Sequence, residues 1–152
     1  MIELESKSSK DTLKLGENIG RAVSPGAVIL LFGCLGSGKT VFAKGMAAGL
    51  SIEDVITSPT YTILQVYEGR LTLAHFDLYR LKDADDFINI GGPEYLYGNG
   101  VCAIEWPENL MDMMPKERLE IHFDIRSGAD VRKIRLIPFG ELHEKLLAEA
   151  LT

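Results

Sequence analysis

One octapeptide constrains this chain more than any other feature: Gly33-Cys34-Leu35-Gly36-Ser37-Gly38-Lys39-Thr40. It follows an unbroken apolar run, Ala27-Val28-Ile29-Leu30-Leu31-Phe32, and precedes a segment of helical character from about Lys39 to Leu50. A continuous apolar run of strand length, without alternation, suits a strand buried on both faces of a parallel sheet. A glycine-rich turn from such a strand into a helix, ending G-K-[ST], is a phosphate cradle. The glycines of Gly33 to Gly38 let backbone N–H groups turn inward around an anion, and the helix N-terminus adds its positive dipole end. In that reading Leu35 and Ser37 belong to the wrapping loop, Lys39 reaches the β- and γ-phosphates, and the Thr40 hydroxyl binds Mg²⁺.

The rest of the chain supplies a matching scaffold. Ser8-Ser9-Lys10-Asp11 is a helix start, with a hydroxyl and an acid at capping distance, and Leu13, Leu15, Ile19, Ala22 and Val23 continue it to Ser24-Pro25-Gly26. Tyr61 to Tyr67 and Leu71 to Leu78 read as two strands joined by Glu68-Gly69-Arg70, a hairpin. Residues 82–90 form a weak helix pattern, and Val101-Cys102-Ala103-Ile104-Glu105 is a second short buried-type strand. Leu119 to Ile125 and Val131 to Ile137 pair across residues 126–130, and Glu141 to Leu151 is a terminal helix. Strands alternating partly with helices and partly with hairpins predict an α/β domain, a three-layer P-loop NTPase-like fold with a mixed parallel and antiparallel sheet. The length of 152 residues predicts one domain, residues 1–152, with no internal repeat.

Composition excludes several classes. Apolar residues are 46% and charged residues 25%, so wholesale disorder is excluded. The six-residue run at Ala27–Phe32 is far short of the ~20 residues that span a bilayer, and MIELESKSSK has no apolar signal region, so cytoplasmic residence and no membrane are expected. Two cysteines, Cys34 and Cys102, with no CxxC pair and scattered His75, His122 and His143, predict reduced thiols and no structural zinc. Net charge is −6, and residues 83–120 carry nine carboxylates against Lys116 and Arg118, leaving −7 there. A chain that grips a polyanion shows the opposite sign, so strong direct nucleic-acid binding is not expected. That acidic stretch reads as a solvated face or as a docking surface for a basic partner.

A phosphate site of this kind needs an acid from a second strand. Two strand-terminal acids qualify: Asp77 after Leu73-Ala74-His75-Phe76, and Glu105 after Val101-Cys102-Ala103-Ile104. Either holds Mg²⁺ or its water, and the other orients a water or takes a proton. His75 shares a strand face with Asp77 and reads as a packed structural histidine rather than a catalyst. Trp106, the only tryptophan, reads as core or as a platform for a partner. No Asn-Lys-x-Asp guanine reader is present, which favours ATP over GTP.

Four blocks in order then carry a resemblance. They are Gly33-x-Leu35-Gly36-x-Gly38-Lys39-Thr40, Ser58-Pro59-Thr60-Tyr61-Thr62, His75-Phe76-Asp77-Leu78-Tyr79-Arg80-Leu81 and Ile104-Glu105-Trp106-Pro107-Glu108. Together they resemble the bacterial TsaE (YjeE-like) ATPases, which support threonylcarbamoyladenosine modification of tRNA. The resemblance implies that Thr40 and Glu105 bind Mg²⁺ and that Asp77 serves ATP hydrolysis. It further implies that Ser58, Pro59 and Thr60 lie on a switch-like loop and that Ser9 and Arg132 contact the nucleotide. It also implies action on a complex of two partner proteins, TsaB and TsaD, rather than transfer of the threonylcarbamoyl group itself. One departure is Cys34, where the family has an acid. Two rivals remain: a small-molecule kinase, which the dispersed arginines disfavour for want of a lid cluster, and a nucleotide-controlled interaction protein with little turnover.

Overall fold

The computed structural model describes residues 1–126 and 130–152. The connection expected over 126–130 therefore has its middle, residues 127–129, outside the described residues. Its flanks fold as the pairing predicts: β6 (Arg118–Ile125) runs antiparallel to β7 (Arg132–Phe139), with Ile121 opposite Leu136.

The apolar run forms β2 (Val28–Phe32) at the centre of a seven-stranded sheet of order β1-β7-β6-β2-β5-β4-β3. Its neighbours β5 (Val101–Glu105) and β6 both run parallel to it, and β4 (Leu73–Asp77) is parallel to β5. The flanks are antiparallel: β3 (Leu64–Tyr67) on β4, and β1 (Ile2–Ser6) on β7. The fold is thus α/β with a mixed sheet.

Alternation along β2 explains why the run is apolar throughout. Ile29 and Leu31 enter one core with Leu15, Ile19, Phe42, Met46 and Leu146, under α1 (Ser9–Ala22), α2 (Lys39–Gly49) and α5 (Glu141–Ala150). Val28 and Leu30 enter a second core with Phe76, Ile104, Phe87 and Leu96. That core is roofed by α3 (Ala84–Asn89), α4 (Gly92–Leu96) and a 3₁₀ segment (Pro107–Met113).

Helix α1 starts where its sequence signal lies. Ser8 is the N-cap and its hydroxyl accepts from the Asp11 amide at 3.2 Å, while the Lys7 amide donates to Asp11 Oδ2 at 2.9 Å. Such a reciprocal cap stabilises a helix by roughly 0.5–2 kcal/mol. Helices α1 and α2 meet at glycines on both sides. A Cβ placed on Gly16 would lie 2.2 Å from the Phe42 carbonyl oxygen, and one on Gly45 would lie 2.2 Å from that of Leu13. Gly20 and Gly49 make equivalent approaches one turn on.

Residues 2–6, to which the sequence reading assigns no element, form β1, whose Leu4 faces Ile134 while Glu3 pairs with Lys133 at 3.2 Å. One expectation needs correction. Tyr61 to Ile63 were expected in a strand but form a turn. Ile63 takes φ +68, and its amide donates to the Pro59 carbonyl, so β3 begins only at Leu64. Among the described residues no helix is long and apolar enough to cross a membrane.

Candidate functional site

The carboxyl ends of parallel strands gather ligands because loops diverge there and helix N-termini point in. Here β2, β4 and β5 deliver three features to one end. After β2 the chain enters the glycine loop, where Gly36 (φ +79) and Gly38 (φ +111) occupy backbone conformations closed to most side chains. Gly38 is the N-cap of α2 and offers no capping side chain, so the first amides of the helix stay available to an anion. Strands β4 and β5 end with Asp77 opposite Glu105 in register.

Thirteen residues singled out from sequence line one cavity of about 480 Å³. They are Ser9, Leu35, Gly36, Ser37, Gly38, Lys39, Thr40, Ser58, Thr60, Asp77, Glu105, Trp106 and Arg132, and Val41 and Tyr79 complete the wall. Gly33 and Pro59 are not on the wall. Gly33 instead presents its carbonyl to Lys39 Nζ at 2.6 Å, and Pro59 is a buried residue of the 57–63 loop.

Lys39 is buried, and desolvation pushes its ammonium below the usual lysine range. Glu105, Glu108, Asp77 and Cys34 oppose that shift, Glu105 most strongly. An ammonium held this way gains from a bound anion, since a counter-charge offsets its desolvation. Its upper side is covered by Trp106, whose ring centroid lies 3.5 Å from Nζ. Trp106 adopts the left-handed conformation (φ +57, ψ +52), at a cost of order 1–3 kcal/mol. The following Pro107 already disfavours the right-handed helical region at this position. The indole also packs on Tyr79, ring centroids 5.0 Å apart.

The two acids have distinct surroundings. Glu105 accepts from the Thr40 hydroxyl at 3.3 Å through both oxygens and from His75 Nε2 at 2.7 Å. Asp77 accepts from the Tyr79 amide at 3.0 Å on Oδ1 and from the Thr60 hydroxyl at 3.0 Å on Oδ2. Thr60 Oγ1 is in turn 2.8 Å from Ser58 Oγ, so the 57–63 loop is tied to Asp77 through hydroxyls. Arg132 grips the loop from outside: its Nε and a terminal nitrogen each donate at 3.0 Å, to the Ser37 and Gly36 carbonyls. Cys34 is exposed on the same loop.

Chemically this is a concave site holding one ammonium, free helix-terminal amides and two carboxylates that differ in partners. It suits a phosphate chain together with a hard cation taking oxygen ligands. Among the described residues no cluster of three or more His, Cys, Asp or Glu side chains is placed to hold a metal ion. A cation here would complete its shell with ligand oxygens and water. Sequence reasoning missed Tyr79 and Val41 on the wall and Glu108 beside Lys39. Tyr79 lies two residues past Asp77, inside the quoted block, but its amide's hold on Asp77 is a turn contact without a residue-type signal.

Comparison with known proteins shows the family and the fold. The family model for threonylcarbamoyl adenosine biosynthesis protein TsaE matches residues 6–134. A Treponema pallidum tRNA threonylcarbamoyladenosine biosynthesis protein TsaE is 49% identical over 116 residues, 76% of this chain and 86% of that protein. The Bacillus subtilis protein of the same name is 39% identical over 149 residues, 97% of this chain and 92% of its own. The crystal structure of Bacillus subtilis YdiB superposes with a TM-score of 0.84 at 34% identity, covering 99% of this chain and 93% of that one.

Proposed function

This chain belongs to the TsaE family of tRNA threonylcarbamoyladenosine biosynthesis proteins, and from that premise we propose that it is the family's Mg²⁺-dependent ATPase, acting on a TsaB–TsaD complex. The observation that carries the reading is the convergence of Lys39, Thr40, Glu105 and Asp77 on one cavity at the strand ends. Gly36 to Gly38 and the α2 amides wrap the phosphates. Lys39 leaves the Gly33 carbonyl to meet the β- and γ-phosphates. Leu35, Ser9 and Arg132 border the rest of the nucleotide.

Thr40 and Glu105 fit Mg²⁺: a neutral hydroxyl and a carboxylate already within 3.3 Å of each other, both hard oxygen donors. When bound there, the ion neutralises charge building on the phosphate oxygens. Asp77, fixed by Tyr79 and Thr60, orients the attacking water and accepts its proton. The Thr60 hydroxyl donates to Asp77, the Ser58 hydroxyl pairs with Thr60, and both residues line the cavity, so the loop senses whether a γ-phosphate is present. Trp106, which covers Lys39, passes that state to the docked partner.

On this account hydrolysis by the isolated chain is slow and rises when the partner complex binds. Steady-state ADP release with and without the TsaB–TsaD complex tests it. Trp106→Ala lowers the stimulated rate more than it lowers calorimetric ADP affinity; full stimulation in a folded Trp106→Ala protein removes the coupling role. ADP release that instead depends on an added nucleoside or sugar indicates a small-molecule kinase.

A further inference from the structure

His75 lies in the middle of β4 and is fully buried. Register explains what it reaches. Leu73, His75 and Asp77 project to one face of the sheet, opposite Val101, Ala103 and Glu105 of β5. The residue directly across is Ala103, whose small side chain leaves room for the imidazole to lean along the strand to Glu105. Nε2 meets Glu105 Oε2 at 2.7 Å, while Nδ1 is buried without a hydrogen-bond partner among the described residues. An ionised carboxylate only accepts, so the nitrogen facing it, Nε2, is the donor of this hydrogen bond. An apolar side chain would fill this place without leaving a polar atom orphaned, so fold stability alone gives no reason for an imidazole here.

We propose that His75 is a positioning residue whose Nε2–H locks the Glu105 carboxylate, so that Glu105 and the Thr40 hydroxyl face one metal position. The inference rests on the Mg²⁺ reading above. Glu105 would otherwise be free to rotate about its terminal torsion, and Thr40, a weak 3.3 Å donor, does not choose between its two oxygens. His75 does choose: it engages Oε2 from below the sheet end and fixes the plane of the carboxylate. Outer partners of this kind typically change metal affinity about 10–100-fold when removed.

Two substitutions separate positioning from packing. His75→Gln carries an amide N–H near the place of Nε2, whereas His75→Asn is too short to reach Glu105. Mn²⁺ affinity of the ADP-loaded protein is read by electron paramagnetic resonance, and ADP affinity in EDTA by calorimetry. The proposal expects His75→Asn to weaken Mn²⁺ binding about 10–100-fold, His75→Gln to stay close to the native protein, and metal-free ADP affinity to hold in both. Native Mn²⁺ affinity in His75→Asn overturns the proposal while leaving the metal reading intact. Equal loss of metal-free ADP binding in both variants also overturns it, because the role is then structural. No Mn²⁺ binding by the native ADP complex overturns the metal reading and this inference with it.

Discussion

Gly45→Ala tests the way the glycine loop is mounted on the fold. On an exposed helix position this change stabilises by roughly 1 kcal/mol, because alanine loses less backbone entropy than glycine. Here the new methyl carbon would lie 2.2 Å from the Leu13 carbonyl oxygen and 3.0 Å from Gly16 Cα, both backbone atoms of α1. Ordinary contact begins at 3.4 Å, so α1 and α2 must separate by about 1.2 Å, the difference of 3.4 and 2.2. Overpacking of this kind costs about 1–3 kcal/mol, and an obstacle made of backbone belongs at the upper end. Net of the propensity gain, a loss of about 2 kcal/mol remains, or roughly 4–8 °C in Tm for a chain this size. Urea unfolding of Gly45→Ala beside Ala48→Gly is the assay. Ala48 is exposed on the same helix, so its change reports propensity alone. Because α1 carries Ser9 and α2 carries Lys39 and Thr40, ADP affinity falls with stability in Gly45→Ala and not in Ala48→Gly. A Gly45→Ala protein as stable as the native chain would refute the close-packing argument.

Further outcomes follow from the two acids and from a buried histidine. Glu105→Ala and Thr40→Ala raise the Mg²⁺ concentration for half-maximal turnover by ~10-fold or more, since each removes a direct oxygen ligand and loss of an outer partner alone costs about 10–100-fold. Asp77→Asn lowers the rate ~10²-fold at unchanged ADP affinity, as expected for loss of a proton acceptor; the reverse pattern in steady-state assays would exchange the two roles. His143, buried on α5, accepts from the Val28 amide through Nε2 at 3.1 Å. Burial pushes its imidazole below the ordinary 6.5, with the Phe139 carbonyl opposing. The unfolded chain therefore binds the proton first, so stability is complete above pH 6.5 and falls as pH drops through the lowered value. Urea midpoints between pH 5 and 7.5 show that loss, and His143→Gln, which still offers Val28 an acceptor, flattens it; identical slopes would remove His143 as the cause.

What the sequence revealed was local, and what it hid was pairwise. Residues Ala27 to Leu50 were legible because strand, turn and helix follow one another along the chain, each with its own composition signal. Asp77 and Glu105 stood out as strand-terminal acids, but their division of labour stayed open. It depends on contacts between segments far apart in the chain, which set Thr40 and His75 against Glu105 and Thr60 against Asp77. Strand β1 went unread although Ile2, Leu4 and Ser6 alternate with Glu3 and Glu5. A five-residue edge strand gains its stability only from β7, which lies far along the chain. The spacing of Gly16 with Gly20 and of Gly45 with Gly49 was visible, yet its meaning needs two helices to meet. Ile63 and Trp106 took left-handed backbones that their side chains disfavour, so no propensity argument could have placed them.

The central claim is that Lys39 in the loop after β2 drives phosphate chemistry. Steady-state ADP release from ATP, measured for the native chain and Lys39→Ala with the partner complex present, addresses it most directly. Loss of one preorganised electrostatic contact of this kind costs about 10²–10³ in rate, so the account predicts Mg²⁺-dependent turnover in the native chain and a fall of that size in Lys39→Ala. Equal turnover by the two proteins would contradict it.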